Sequence, residues 1–329
     1  MREAGMKELI VVPTVPYSHS QMMRDAQALE NAFPKLVVME IAGYSVEGRE
    51  LPLLRLGTGM RKVFFCGAHH ARDYLTSAYL MYVINVYALA ATEKKRIGRS
   101  HIQKLLSDCS MFVMPMVNPD GVALAQGGLK AALDPMRIAG MLHVRPEYET
   151  WIANINGVDL GRQYPALWEQ KYTVITEPAS ELYNGEAPAS EPEVRAVMQV
   201  CRNNVFLAAL SFYTKGETIE YADMSTQAQI PEALPLAENI AVATGYTLLP
   251  VADNPGIYAA SFESWFRQEY LRPGLHIKLS PCVGGAMPHN ERGFYPLVWE
   301  KTKTLCAKAM SAVCDMDVGA GEDPRAAEL

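Results

Sequence analysis

The chain is poor in several things that define common protein classes. Its six cysteines (Cys66, Cys109, Cys201, Cys282, Cys306 and Cys314) form no Cys-x-x-Cys pair, and several lie in apolar runs. That pattern argues against a zinc knuckle or a disulfide frame and for reduced thiols in a core. Basic charge is in deficit: 30 Lys and Arg, scattered along the chain, face 36 Asp and Glu, a formal net charge of −6. Without a basic surface to gather phosphates, nucleic acid is not an expected partner. The opening stretch MREAGMKELIVVPTVPYSHS has only a short apolar run and no small-residue cleavage site behind it, so no secretory signal is expected. No segment approaches the roughly 20 apolar residues of a membrane helix, and no internal repeat is visible. The expectation is a cytoplasmic protein that engages neither nucleic acid nor membrane.

What the chain does have is length and apolar content. With 329 residues, 49% hydrophobic, it can bury a large core, and one α/β domain over residues 1–314 is expected, followed by a disordered tail over 315–329. Helical spacing of apolar residues runs from Met22 to Phe33. A strand over Leu36–Ile41, a turn at Gly43–Gly48 and a strand over Leu51–Leu56 then suggest a hairpin. Arg61–Gly67 and Met111–Val117 read as buried strands, separated by a long apolar helix over Thr76–Ala91. Val205–Phe212 and Leu275–Leu279 supply further strands, and Pro296–Val313 reads as a closing helix with proline in its first turn. Continuous apolar strands alternating with helices predict a mixed, mostly parallel sheet covered by helices on both faces. In such sheets the functional loops gather at strand carboxyl ends. His69–Tyr74, Asn118–Gly121 and the irregular stretch 122–195 fall there.

Six segments, in order and spread over roughly residues 15–310, together resemble the zinc carboxypeptidase family, and within it the bacterial γ-D-glutamyl-diamino-acid peptidases. They are Gly43-Tyr-Ser-Val-Glu-Gly-Arg49, Gly67-Ala-His-His-Ala-Arg-Asp-Tyr74, Pro115-Met-Val-Asn-Pro-Asp-Gly121, Ala153-Asn-Ile-Asn-Gly-Val-Asp-Leu160, Ser190-Glu-Pro-Glu193 and Pro273-Gly-Leu-His-Ile277. The resemblance implies a zinc carboxypeptidase-like fold, a zinc cofactor and a small peptide substrate with a free carboxylate. Chemically, three protein ligands would hold zinc with a fourth position open to water, and a separate carboxylate would take the water's proton.

The positions that carry this chemistry have changed. The family's His-x-x-Glu ligand pair appears as His70-Ala-Arg-Asp73, with Asp73 one methylene shorter than the usual glutamate. The third ligand, a histidine ahead of a Gly-Glu segment, is matched by Tyr213, and the general-base glutamate by Lys278. A phenol with an ordinary pKa near 10 is a poor ligand at neutral pH, and an ammonium cannot accept the proton. The Asn-Arg pair that grips a substrate carboxylate is Gly161-Arg162, the oxyanion-stabilising cation falls on Ile152 with Arg145 nearby, and Tyr258 matches the mobile tyrosine over the substrate. Arg72, Arg162 and Tyr258 are therefore expected to contact a bound peptide. Two arrangements follow for the metal region. In one, Lys278 replaces the ion and pairs with Asp73 while Tyr213 bonds within the cluster. In the other, His69 or His276 is recruited to rebuild a zinc site. The first describes a non-catalytic or strongly altered peptide binder, the second an active metallopeptidase; a structural or partner-binding role stands third.

Overall fold

The computed structural model describes residues 9–282 and 291–316. Ten strands occur among them: β1 (Val37–Tyr44), β2 (Glu50–Leu56), β3 (Arg61–Gly67), β4 (Arg96–Ile97), β5 (Ser100–His101), β6 (Cys109–Met114), β7 (Ala208–Thr214), β8 (Thr218–Glu220), β9 (Thr247–Leu248) and β10 (Gly274–Leu279). Eight form one sheet in the order β1-β2-β6-β3-β7-β10-β8-β9, and β4 pairs with β5 in a small separate hairpin. The centre, β6-β3-β7-β10, is parallel, while β1, β2 and β8 run antiparallel to inner neighbours. This is the mixed α/β sheet expected. The short strands β8 and β9 were not anticipated, because runs of two or three residues carry no readable alternation.

The alternation within β3 shows why helices cover both faces. Val63 and Phe65 pack into a cluster with the helix Leu75–Thr92, whereas Phe64 and Cys66 pack into another with the helices Pro192–Arg202 and Phe262–Tyr270. All four side chains are fully buried. Burying each large one contributes about 1.5–3 kcal/mol, so this strand tolerates polarity on neither side. Five of the six cysteines are buried or half-buried and unpaired, while Cys282 is exposed.

Two expectations need correction. The stretch Ala71–Thr92 is, by length and apolar content, long enough to cross a membrane, contrary to the reading above; 83% of its apolar window lies inside the fold, which makes it the central core helix. The closing helix is not continuous: a π-helical turn over Phe294–Trp299 and a single turn over Glu300–Thr302 precede the helix Leu305–Asp315. The Tyr87 hydroxyl donates to the Lys303 carbonyl at 2.9 Å and accepts from the Ala307 amide at 3.0 Å. It thus inserts between the two groups that a regular helix would join, which bends helices generally. The expected tail lies outside the described residues beyond Met316.

Three parallel strands, β3, β7 and β10, end side by side on one edge of the sheet. The chain leaving β3 stays tied to the chain leaving β6 by Val117 and Asn118 amides donating to Gly67 and Ala68 carbonyls, both at 3.0 Å. This fixes where His69 and His70 emerge.

Candidate functional site

Beneath the strand ends, five of the six sequence segments hold one another. Asp120, fully buried, accepts from the Ser45 hydroxyl at 2.7 Å, the Glu47 amide at 2.8 Å and the Arg49 guanidinium at 2.5 Å. Asn118 caps the helix Pro119–Gly127 through its Oδ1 and donates its Nδ2 to the carbonyls of His69 and Ala153 at 3.1 and 3.0 Å. The Asn154 amide donates to Glu191 at 2.7 Å and to Glu193 at 3.3 Å, and Glu193 also accepts from the Val46 backbone. Burial, reinforced by Asp120 and Glu191, pushes the Glu193 carboxyl up to about 8. These polar groups build the platform on which the cleft rests.

On that platform His70 stands between two carboxylates. Its Nδ1 lies 3.5 Å from Asp73 Oδ2 and its Nε2 lies 3.5 Å from Asp159 Oδ1. Burial alone would lower the imidazole, but Asp159 and Asp73 outweigh it and raise His70 to about 9. Asp73 also accepts from the Thr214 hydroxyl at the end of β7. Burial opposes its ionisation, yet the bonds from His70 and Thr214 and the nearby Arg72 hold it below the usual carboxylate range. At Gly161 a Cβ would meet His70 Nε2 at 3.0 Å and Asp159 Oδ1 at 3.3 Å, a tight fit that a small shift of these side chains would relieve.

Tyr213 lies on β7, between β3 and β10 in the sheet, so its phenol stands between the imidazoles of His70 and His276. The His276 ring stacks on it at 4.0 Å with an interplanar angle of 1°, and the His70 ring meets it edge-on at 4.8 Å. His276 Nδ1 is 3.5 Å from Glu263 Oε1, and Glu263 also accepts from the Ser211 hydroxyl. His69 diverges from His70, as expected of adjacent residues on extended backbone: it is fully buried, its Nε2 lies 2.8 Å from the Tyr164 hydroxyl, and burial lowers it to about 4.

The expected Lys278–Asp73 pair is not formed. Lys278 Nζ lies 3.5 Å from Glu220 Oε1 on β8. The reason is register: Lys278 faces Thr218 across the β10–β8 ladder and Glu220 faces His276, so Glu220 is a diagonal neighbour within reach of a long side chain. Thr214 and His70 occupy Asp73 instead.

A cleft of about 270 Å³ opens above these groups, lined among others by His70, Ile152, Arg162, Tyr213, Tyr258 and His276. Ile152 is thus a wall residue of the cleft. Arg145 points elsewhere, pairing with Glu181 at 2.6 Å. Arg72 is not among the cleft-lining residues; its amide donates to the Trp151 carbonyl at 3.0 Å. Arg162 donates through Nε to Asn184 Oδ1 at 2.6 Å and through Nη2 to the Tyr172 carbonyl. Tyr258 comes from the short helix Pro255–Tyr258, capped by Asn254. Sequence reasoning missed Asp159, Glu263, Glu220 and Lys171 as cleft residues. Asp159 lay inside a quoted segment, while the other three come from stretches with no pattern that marks a site.

Among the described residues, no group of three or more His, Cys, Asp or Glu gathers in a way that would hold a metal ion. His70 and Asp73 are the two family ligand positions brought together.

Comparison with known proteins agrees with this geometry. The family model described as zinc carboxypeptidase matches residues 22–251. A gamma-D-glutamyl-L-diamino acid endopeptidase of Lysinibacillus sphaericus is 33% identical over 266 residues, covering 80% of this chain, which spans 65% of that relative's length. An inactive metallocarboxypeptidase of Arthroderma benhamiae is 24% identical over 228 residues, covering 64% of this chain and 35% of the relative. In structure, bovine thrombin-activatable fibrinolysis inhibitor, solved with a tick carboxypeptidase inhibitor, superposes with a TM-score of 0.71 at 17% identity, covering 92% of this chain and 98% of its own. With the sheet, the platform and the family match in agreement, the chain belongs to the zinc carboxypeptidase family.

Proposed function

We propose that this protein binds small peptides with a free carboxylate in its cleft, of the acidic cell-wall type, without running the zinc-dependent hydrolysis of its family. One observation carries the reading: the third ligand position is a phenol stacked flat on His276 at 4.0 Å. That ring fills the space between two imidazoles instead of offering a third donor beside His70 and Asp73. The donor set does not fit a three-ligand zinc site with an open position. Lys278, engaged with Glu220, supplies no proton acceptor where the family places its base. The binding half of the proposal is supported by Arg162 and Tyr258, which line the same cleft. Relatives include both a named peptidase and a named inactive metallocarboxypeptidase, so the fold accommodates either state.

A second reading, an active metallopeptidase with a rebuilt site, is favoured by one feature. His276 lines the cleft and its Nε2 has no hydrogen-bond partner among the described residues. Metal content separates the two. Tag-free protein prepared without chelator is expected to carry zinc far below one per chain by elemental mass spectrometry, unresponsive to added zinc. Near-stoichiometric zinc would overturn the proposal and make γ-D-glutamyl peptides the substrates to screen. The double variant Tyr213→His, Lys278→Glu restores the family's donor and base types and is expected to raise zinc toward one per chain.

A further inference from the structure

Lys171 follows the short helix Trp168–Gln170 and is 9% exposed. It lines the same cleft as Arg162, and its Nζ donates to the carbonyl of Ile257 on the helix that carries Tyr258. One neutral acceptor leaves two of its three N–H donors for other partners. Arg162 is likewise held only by neutral oxygens, those of Asn184 and Tyr172. Neither side chain forms a direct ion pair among the described residues; Asp159 acts on Arg162 only through space, and each carboxylate that shares the cleft contacts another partner. Asp159 faces His70, Glu263 faces His276, and Glu220 faces Lys278. Burial first, then Arg162, bring the Lys171 ammonium down to about 8, against the opposing pull of Asp159, Glu263 and Glu220, so it is still mostly charged at pH 7. A cation shielded from water without a directly paired carboxylate costs stability that an arriving anion restores.

On the other side of Arg162, Gly161 carries no side chain where the family places an asparagine amide. We infer that Lys171 is the second cation of an anion subsite, set beside Arg162 to hold the terminal carboxylate of a bound peptide in place of the missing amide at 161. The inference rests on the peptide-binding reading above and adds a residue that no sequence motif marked. Two cations on one carboxylate make charge-assisted bonds of the stronger kind.

The test is calorimetry at pH 7 with an N-acetyl dipeptide ending in a free carboxylate and with its C-terminal amide. The wild type is expected to prefer the acid, Lys171→Met to lose about tenfold of that acid-over-amide preference, and Lys171→Arg to keep it. If Lys171→Met retains the full acid preference while Arg162→Met abolishes it, Lys171 is not in the subsite and the peptide-binding reading stands. If the wild type binds neither probe, both fall together. A measurement on unaltered protein guards against a misfolded variant: acetylation of Lys171 by acetic anhydride, followed by peptide mass, is expected to slow with the acid peptide and not with the amide. Equal rates with both would overturn the assignment.

Discussion

The platform and the cleft floor are neighbours built from the same kinds of side chain, yet they are wired differently. In the platform each carboxylate serves several donors at once: Asp120 takes bonds from Ser45, Glu47 and Arg49, and Asn154 links Glu191 to Glu193. On the floor the groups face an open cleft: Lys278 and Glu220 form a half-exposed pair, while His70 lies between Asp73 and Asp159 and Glu263 serves His276 and Ser211. Removing Asp120 takes an acceptor from several groups together, whereas removing Lys278 leaves Glu220, 36% exposed, within reach of water.

The sharpest way to break the comparison is Asp120→Ala. It removes the shared acceptor of the buried Ser45 hydroxyl and the Glu47 amide, leaves the half-buried Arg49 guanidinium with Glu47 alone as its carboxylate, and is expected to cost about 3–5 kcal/mol by denaturant unfolding. A loss below about 1 kcal/mol would show that the platform does not bear the fold. The next effect concerns pH. Because Glu193 holds its proton up to about 8 in the fold against an ordinary value of 4.5, folding favours the protonated form. Its contribution is complete below about 4.5 and is lost as pH rises through about 8, with a slope of at most about 1.4 kcal/mol per pH unit. Glu193→Gln is expected to flatten this part of the stability profile; an unchanged slope would assign it to other groups. The smallest effect is expected on the floor. Lys278 and Glu220 side chains are each 36% exposed, and Lys278→Met should change stability by less than about 1 kcal/mol. A larger loss would place Lys278 in the fold's support and erase the contrast.

The two regions were also unequally legible from sequence. The platform's residues sit in compact segments such as Gly43–Arg49 and Asn118–Gly121, where turn and cap chemistry is local and the residue types announce it. The strand positions β3 and β10 were readable from apolar continuity. The floor was only half readable: His70, Asp73, Tyr213 and Lys278 were identified by resemblance, but not their partners. Glu220 becomes a partner of Lys278 only through cross-strand register, and Lys171 joins Arg162 only because a loop folds back toward the helix Pro255–Tyr258.

By itself, then, the sequence determined the sheet class, the family and which chemical groups stand at the old reactive positions, since these follow from periodicity and from residue identity at fixed spacing. Only the tertiary structure decided which charge meets which. Lys278 turns to Glu220 rather than Asp73, His70 divides itself between Asp73 and Asp159, and Arg162 and Lys171 share one wall without a directly paired carboxylate. The physical reason is distance: the strength of an ion pair depends on separation and shielding, and both are set by how strands and loops far apart in the chain are brought together.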